Sequence, residues 1–151
     1  MKALLLATLY EISKKPYQKY MKKNKPWGIS AQHLIKYPNH TLGFHLSCFL
    51  LQHSFELQPK LENHDVYHVL TNTGVSVAEE ISMQYYLLGN GKYSLYLFTV
   101  ISIGTLLYLN HFKKFKHAYN RGKKSLQFHQ IDFSKLLHVP IERIRTTFLI
   151  H

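Results

Sequence analysis

Two histidines four residues apart, a carboxylate beside one of them and a second carboxylate beyond a short turn are the chain's best material for chemistry. They read His64-Asp65-Val66-Tyr67-His68, then eleven residues, then Glu80. On a helix, positions i and i+4 lie one turn apart on the same face, so His64 and His68 project together. Imidazole nitrogens and carboxylate oxygens suit a divalent cation, and four such donors make a complete set. The residues expected to bind metal are therefore His64, Asp65, His68 and Glu80. Zinc is the first expectation; iron and manganese take the same donors, and magnesium is less natural with two imidazoles.

These donors need two helices and a tight connection. Asn63 is placed to cap the histidine helix, and Thr71-Asn72-Thr73-Gly74 turns the chain. Ser76 and Glu79 then match a capping box, which engages Glu79 and leaves Glu80 free to face the histidines. A connection this short makes the helices antiparallel neighbours. Elsewhere the periodicity is also helical and strand alternation is scarce. It predicts helices over residues 2–13, 30–36, 41–55, 63–70, 76–88, 93–110, 111–121, 132–138 and 140–148. Pro38-Asn39 and Gly89-Asn90-Gly91 read as breaks, Gly122 as a C-terminal stop, and Pro140 as a first-turn residue. The expectation is a single all-α domain over residues 1–151, with about seven to nine helices and a basic N-terminal segment at 1–28.

Composition narrows the partners. With 46% hydrophobic residues the chain can build a core, and its one cysteine, Cys48, excludes an internal disulfide and is read as a buried small hydrophobe. Nineteen Lys and Arg against eight Asp and Glu give a net charge of +11, which calls for an anionic partner. Only Arg121, Arg143 and Arg145 are arginines, and the lysines cluster next to apolar stretches. A membrane surface fits that pattern better than nucleic acid does. The apolar run near Met1 lacks a small-residue cleavage site and is read as a first helix, not a signal peptide.

Residues 93–111 contain no Asp, Glu, Lys or Arg. As a helix they would be about 28 Å long, barely a membrane span. Ser94, Thr99, Ser102 and Thr105 share one side of the wheel, suggesting a face packed on protein. The opposite face would carry Phe98, Ile101 or Leu109 into a core, lipid or ligand. The plainest reading is the central core helix of a bundle; a helix lining a lipid cavity or dipping into a membrane interface is the other, and a true crossing is the least favoured.

The segment HDVYHVLTNTGVSVAEE resembles the ubiquinone biosynthesis (coenzyme Q) protein 4 family, whose motif is His-Asp, two residues, His, eleven residues, Glu. Ala118-Tyr119-Asn120-Arg121-Gly122 and LLHVPIERIR resemble its C-terminal pattern, so the likeness covers residues 40–148. Asn72 stands where the family pattern has Gly, and Asn tolerates the left-handed conformation such a turn requires. The resemblance implies an all-helical, lipid-associated protein of quinone synthesis, peripheral to a membrane on its cytoplasmic side. It implies metal binding by His64, Asp65, His68 and Glu80, removal of the ring carboxyl of a prenylated hydroxybenzoate, and hydroxylation of that carbon. It also implies an isoprenoid lipid or prenylated quinone precursor as ligand, with Phe98, Ile101, Thr105 and Arg121 as candidate contacts. Other enzymes of the pathway and a second copy in a homodimer are the implied protein partners.

Two rivals stand beside this reading. A metal-dependent hydrolase would use the same histidines, but Asp65 is one methylene short of a protease's glutamate, and a His-Asp phosphohydrolase would need a remote acid such as Asp132. A non-enzymatic lipid-binding scaffold would need the metal only to hold the fold or a ligand.

Overall fold

Local capping chemistry starts three of the helices. The computed structural model describes residues 25–151. Ser30, Thr41 and Ser94 each turn a side-chain oxygen back to accept a backbone N–H, from His33, Phe44 and Leu97. These caps open α1 (Ala31–Leu34), α2 (Leu42–Gln52) and α5 (Leu95–Leu107). Between them lie α3 (Glu62–Thr71) and α4 (Val77–Gly89), followed after α5 by α6 (Phe112–Lys124) and α7 (Ile141–Phe148). Short 3-10 turns occupy Leu109–His111 and Phe133–Leu136. The class is all-α, and among the described residues the only extended pairing is an isolated bridge between Thr41 and Pro140. The helix expected over residues 2–13 and most of the N-terminal lysine cluster lie outside the described residues.

The centre of the molecule is α4. Its Met83, Tyr86 and Leu87 are almost wholly buried, as are Leu42, Leu46 and Leu50 of α2 and Val66 and Leu70 of α3. Glycines let α6 come unusually close to α4. A Cβ on Gly122 would fall 2.0 Å from the Tyr86 carbonyl oxygen, and one on Gly89 would fall 2.2 Å from that of Tyr119. Lys114 near the start of α6 reaches Glu79 near the start of α4, so the two helices run in the same direction. Gly122 is thus not a stop: the helix continues through it to Lys124, and the missing side chain is needed for backbone contact.

Other expectations are corrected in the same way. The core position expected of the apolar 93–110 helix belongs to α4, while α5 lies outside it and buries only Leu97 and Gly104. The hydroxyl stripe of α5 is not its packed face: Thr99 and Ser102 are exposed, and Thr99 bonds back to the Leu95 carbonyl. The segment at 132–138 forms a 3-10 turn, its start set by Asp132 accepting from the Ser134 amide. Cys48 is half-buried instead of buried. Asn63 sits inside α3, which begins one residue earlier, and its side-chain amide donates to the Ile131 carbonyl.

Candidate metal centre

The α3–α4 connection is tight because α3 ends at Asn72, which adopts φ 53° and ψ 47° and so reverses the chain. That turn sets the first turn of α4 against the His64–His68 face of α3. His64 Nε2 and His68 Nε2 are 3.2 Å apart. Glu80 spans both, with Oε1 3.0 Å from His68 Nε2 and Oε2 3.4 Å from His64 Nε2. Two ligands at about 2.1 Å from one metal lie ~3.4 Å apart in a tetrahedron and ~3.0 Å apart when adjacent in an octahedron. The donor separations therefore match the edges of a coordination shell. Asp65 does not enter this three-donor set, whose atoms all lie within 4.8 Å of one another.

His68 is held on every side. Its Nδ1 is 3.1 Å from the Thr73 carbonyl oxygen, which assigns the proton to Nδ1 and turns the Nε2 lone pair inward. Phe49 of α2 stacks on the ring at 5.3 Å and 18°. Thr73 is itself braced, its hydroxyl 2.7 Å from that of Thr71.

The electrostatics are those of a site short of positive charge. Burial works to raise the Glu80 carboxyl, but the charge of His64 and hydrogen bonds from both histidines hold it well below the usual carboxylate range. Burial opposes protonation of His68, yet the hydrogen bond and charge of Glu80 raise its imidazole above the ordinary value. Asp65 is pushed up to about 6, chiefly by burial, against the lowering pull of His64 and His68. Behind them Glu62 is 2% exposed. Its Oε1 accepts from the Trp27 amide at 2.9 Å, while Oε2 has no hydrogen-bond partner. Three acidic side chains and two imidazoles thus gather with no Lys or Arg among the groups that shift Asp65, His68 and Glu80.

Glu79 is drawn away from this cluster. It accepts from the Ser76 hydroxyl at 3.2 Å and pairs with Lys114 at 3.4 Å, and these contacts lower its carboxyl below the usual value despite partial desolvation. Only half the expected capping box forms, because the Ser76 hydroxyl donates to Glu79 and accepts no amide of the helix.

Several residues matter here in ways the sequence did not signal, Arg121 among them, which was expected at a ligand. Arg145 donates through Nε to the Leu70 carbonyl and through Nη2 to that of Val69, at 3.1 and 2.8 Å. Arg121 donates to the Thr71 carbonyl at 3.0 Å. Two arginines therefore satisfy the otherwise orphaned carbonyls at the end of the histidine helix. Arg145 lay within the ERIR pattern without pointing to this contact, and nothing near Phe49 links it to His68. Glu62 is acidic and adjacent, which is the one signal that could have drawn it in.

The four residues proposed for ligand contact do not converge. Phe98 is 46% exposed, Ile101 packs against the core, and the Thr105 hydroxyl is 2.8 Å from that of Tyr85. Arg121 is occupied by Thr71 and by the His151 carbonyl oxygen. An apolar hollow of about 420 Å³ lies elsewhere, among Ile131, Leu136, Val139, Ile144 and Phe148, and none of the four borders it. Asp132, the remote acid a phosphohydrolase would need, bonds to Ser134 and Lys135 and takes no part in the cluster.

No protein-family model matches the chain, and no curated protein matches it by sequence. A crystal structure does: a protein of Nostoc punctiforme, provisionally called a ubiquinone biosynthesis protein, superposes with a TM-score of 0.70. The match covers 100% of this chain and 82% of that one, at 20% sequence identity. The two share a fold. At that identity the likeness concerns architecture alone.

Proposed function

We propose that this chain is a metal-binding, lipid-associated protein of prenylated-quinone synthesis, acting where the ring carboxyl of a prenylated hydroxybenzoate is removed. The observation that carries the reading is the convergence of His64, His68 and Glu80 at coordination-edge distances in a half-buried, negatively biased site. The sequence resemblance and the name given to the Nostoc protein of the same fold support the pathway.

His64 and His68 supply two neutral nitrogens and Glu80 a carboxylate, a mixed donor set that suits zinc, iron or manganese. Asp65, outside the three-donor set as it stands, would be the fourth donor in this reading only by turning towards the other three. Burial penalises its ionised form, and a cation beside it would relieve that penalty. A bound divalent metal would supply Lewis acidity, drawing charge from the carboxylate and neighbouring oxygen of a chelating ring. The chain's own work is placement. The Thr73 contact and Phe49 fix the orientation of His68, and Arg145 and Arg121 hold the end of its helix.

The test is metal content by mass spectrometry for the wild type, Glu80→Ala, Glu79→Ala and His68→Ala, followed by incubation with the prenylated carboxylate and measurement of released carbon dioxide. Glu80→Ala and His68→Ala should lose about one equivalent of metal each, and Glu79→Ala should keep it. Metal at wild-type stoichiometry in Glu80→Ala would refute the ligand assignment. Lipid bound with no carbon dioxide released would make the protein a carrier or scaffold.

A further inference from the structure

A helix without a charged side chain, with large apolar residues on every face, is ordinarily covered along them by protein or by lipid. Within α5, Leu95–Leu107, the sequence LYLFTVISIGTLL has no charged residue on any face. Its buried residues, among those described, lie on one side only. Leu97 and Gly104 are buried, Gly104 lying directly on Ile81 of α4. On the opposite side Leu95 and Leu106 are each 73% exposed, with Phe98 between them and Leu109 just beyond the helix. At 100° per residue, Leu95, Phe98, Ser102 and Leu106 fall within about 80° of arc. They form one continuous stripe along the side turned away from the core. Phe112, also exposed, carries the apolar surface around the 102° bend into α6.

Charge decides the occupant. From residue 81 to residue 131 the chain has Lys92, Lys113, Lys114, Lys116, Arg121, Lys123 and Lys124 and not one Asp or Glu. Lys113, Lys114 and Lys116 are exposed at the start of α6, where the apolar stripe ends. A second copy packed through this face by a two-fold axis would bring one lysine rim towards another with no acid in the segment to answer it. An apolar band edged by lysines matches a bilayer whose acyl region lies beneath anionic headgroups. No single helix among the described residues is long and apolar enough to cross a membrane, and the 102° bend after α5 suits a helix lying in the interface with the lysines of α6 at its edge.

We infer that the uncovered face of α5, together with the lysine-bearing start of α6, docks this protein on an anionic lipid surface. This deepens the proposed function, on which it rests only for the idea that the substrate is met in lipid; the face shares no residue with the metal cluster. Its position is informative. Gly104 contacts Ile81, and Lys114 pairs with Glu79, so the end of the stripe and the lysines lie beside the residues flanking Glu80. The lipid-facing corner and the metal centre are at the same end of α4.

The experiment is sedimentation of the full chain with phosphatidylcholine vesicles and with vesicles doped with phosphatidylglycerol. Binding should require phosphatidylglycerol. Leu106→Ser with Leu109→Ser, and separately Lys113→Glu with Lys116→Glu, should each weaken it about tenfold while leaving metal content unchanged. Hydrogen exchange of the wild type on the doped vesicles, which needs no variant, should show protection at residues 95–116. Binding that survives both double variants, or that instead follows Lys14→Glu with Lys15→Glu in the N-terminal cluster, would overturn the proposal. So would protection absent from 95–116, or a lipid-independent dimer that Leu106→Ser with Leu109→Ser dissolves. Loss of metal in Glu80→Ala with lipid binding retained would separate the two readings.

Discussion

The α3–α4 pair and α5 solve opposite problems with similar lengths of helix. In the first, nearly every polar atom near the centre has a designated partner: His68 is bonded at both nitrogens, Glu80 at both oxygens, and the last carbonyls of α3 by two arginines. In the second there is no charge to satisfy, and Leu95, Phe98 and Leu106 are left exposed along one side. One region is specified by hydrogen bonds and geometry, the other by the lack of any charged group to keep it in water. Precision is concentrated where a ligand shell must be held, and adaptability where a surface must be met.

The largest effect expected is that acid strips metal from the first region. His68 and Asp65 both hold protons more tightly folded than unfolded, His68 because of Glu80 and Asp65 because of burial. In the metal-free protein their contribution to stability is full below the unfolded pKa values and is lost as pH rises through the folded ones, about 6 for Asp65. Metal needs the deprotonated forms, so its stabilisation should run the other way. A thermal-melting series with and without added zinc should show a large shift above about pH 7 that vanishes by about pH 5. A zinc shift independent of pH would mean that these side chains are not the ligands.

The packing contrast can be tested with two glycines. Gly122→Ala drives a Cβ to 2.0 Å from a backbone carbonyl and should cost about 3 kcal/mol in denaturant unfolding. Gly104→Ala meets only the side chain of Ile81, at 2.7 Å, which can turn away, and should cost about 1 kcal/mol or less. Equal costs would show that α5 is as rigidly seated as α6. Arg145→Ala strips the donors from two helix-end carbonyls and should cost about 2 kcal/mol by the same assay, with Arg145→Lys recovering only part because it lacks the guanidinium fork. The smallest effect belongs to Leu106→Ser, exposed and without core contacts, which should change the melting midpoint by the equivalent of about 0.5 kcal/mol or less. A larger loss would mean that the stripe is covered by protein in solution.

Much of the fold was legible because its signals are local. The breaks read at Pro38-Asn39 and Gly89-Asn90-Gly91 fall between helices, within a few residues of their ends. Asn72 took the left-handed conformation that the turn demanded. Boundaries failed where a partner far along the chain had priority. Asn63 bonds to Ile131 instead of capping, and Gly122 is spent on the approach to Tyr86 instead of ending a helix. The hydrophobicity of 93–110 was read as a sign of the core, yet apolar composition records what a helix can tolerate against it and not whether protein is there.

The sequence by itself determined the helical class and the placing of His64 and His68 on one face, because i and i+4 adjacency is a property of the helix alone. It also marked Glu80, through the short turn and the competing engagement of Glu79 with Ser76. Tertiary structure alone decided that Phe49 stacks on His68, that Arg145 and Arg121 close the end of α3, and that Glu62 lies buried with one oxygen unpartnered. It alone decided which of the apolar helices is enclosed and which keeps a side open. Such facts depend on residues 19 to 76 positions apart in the chain, beyond the reach of any local pattern, and only packing brings them together.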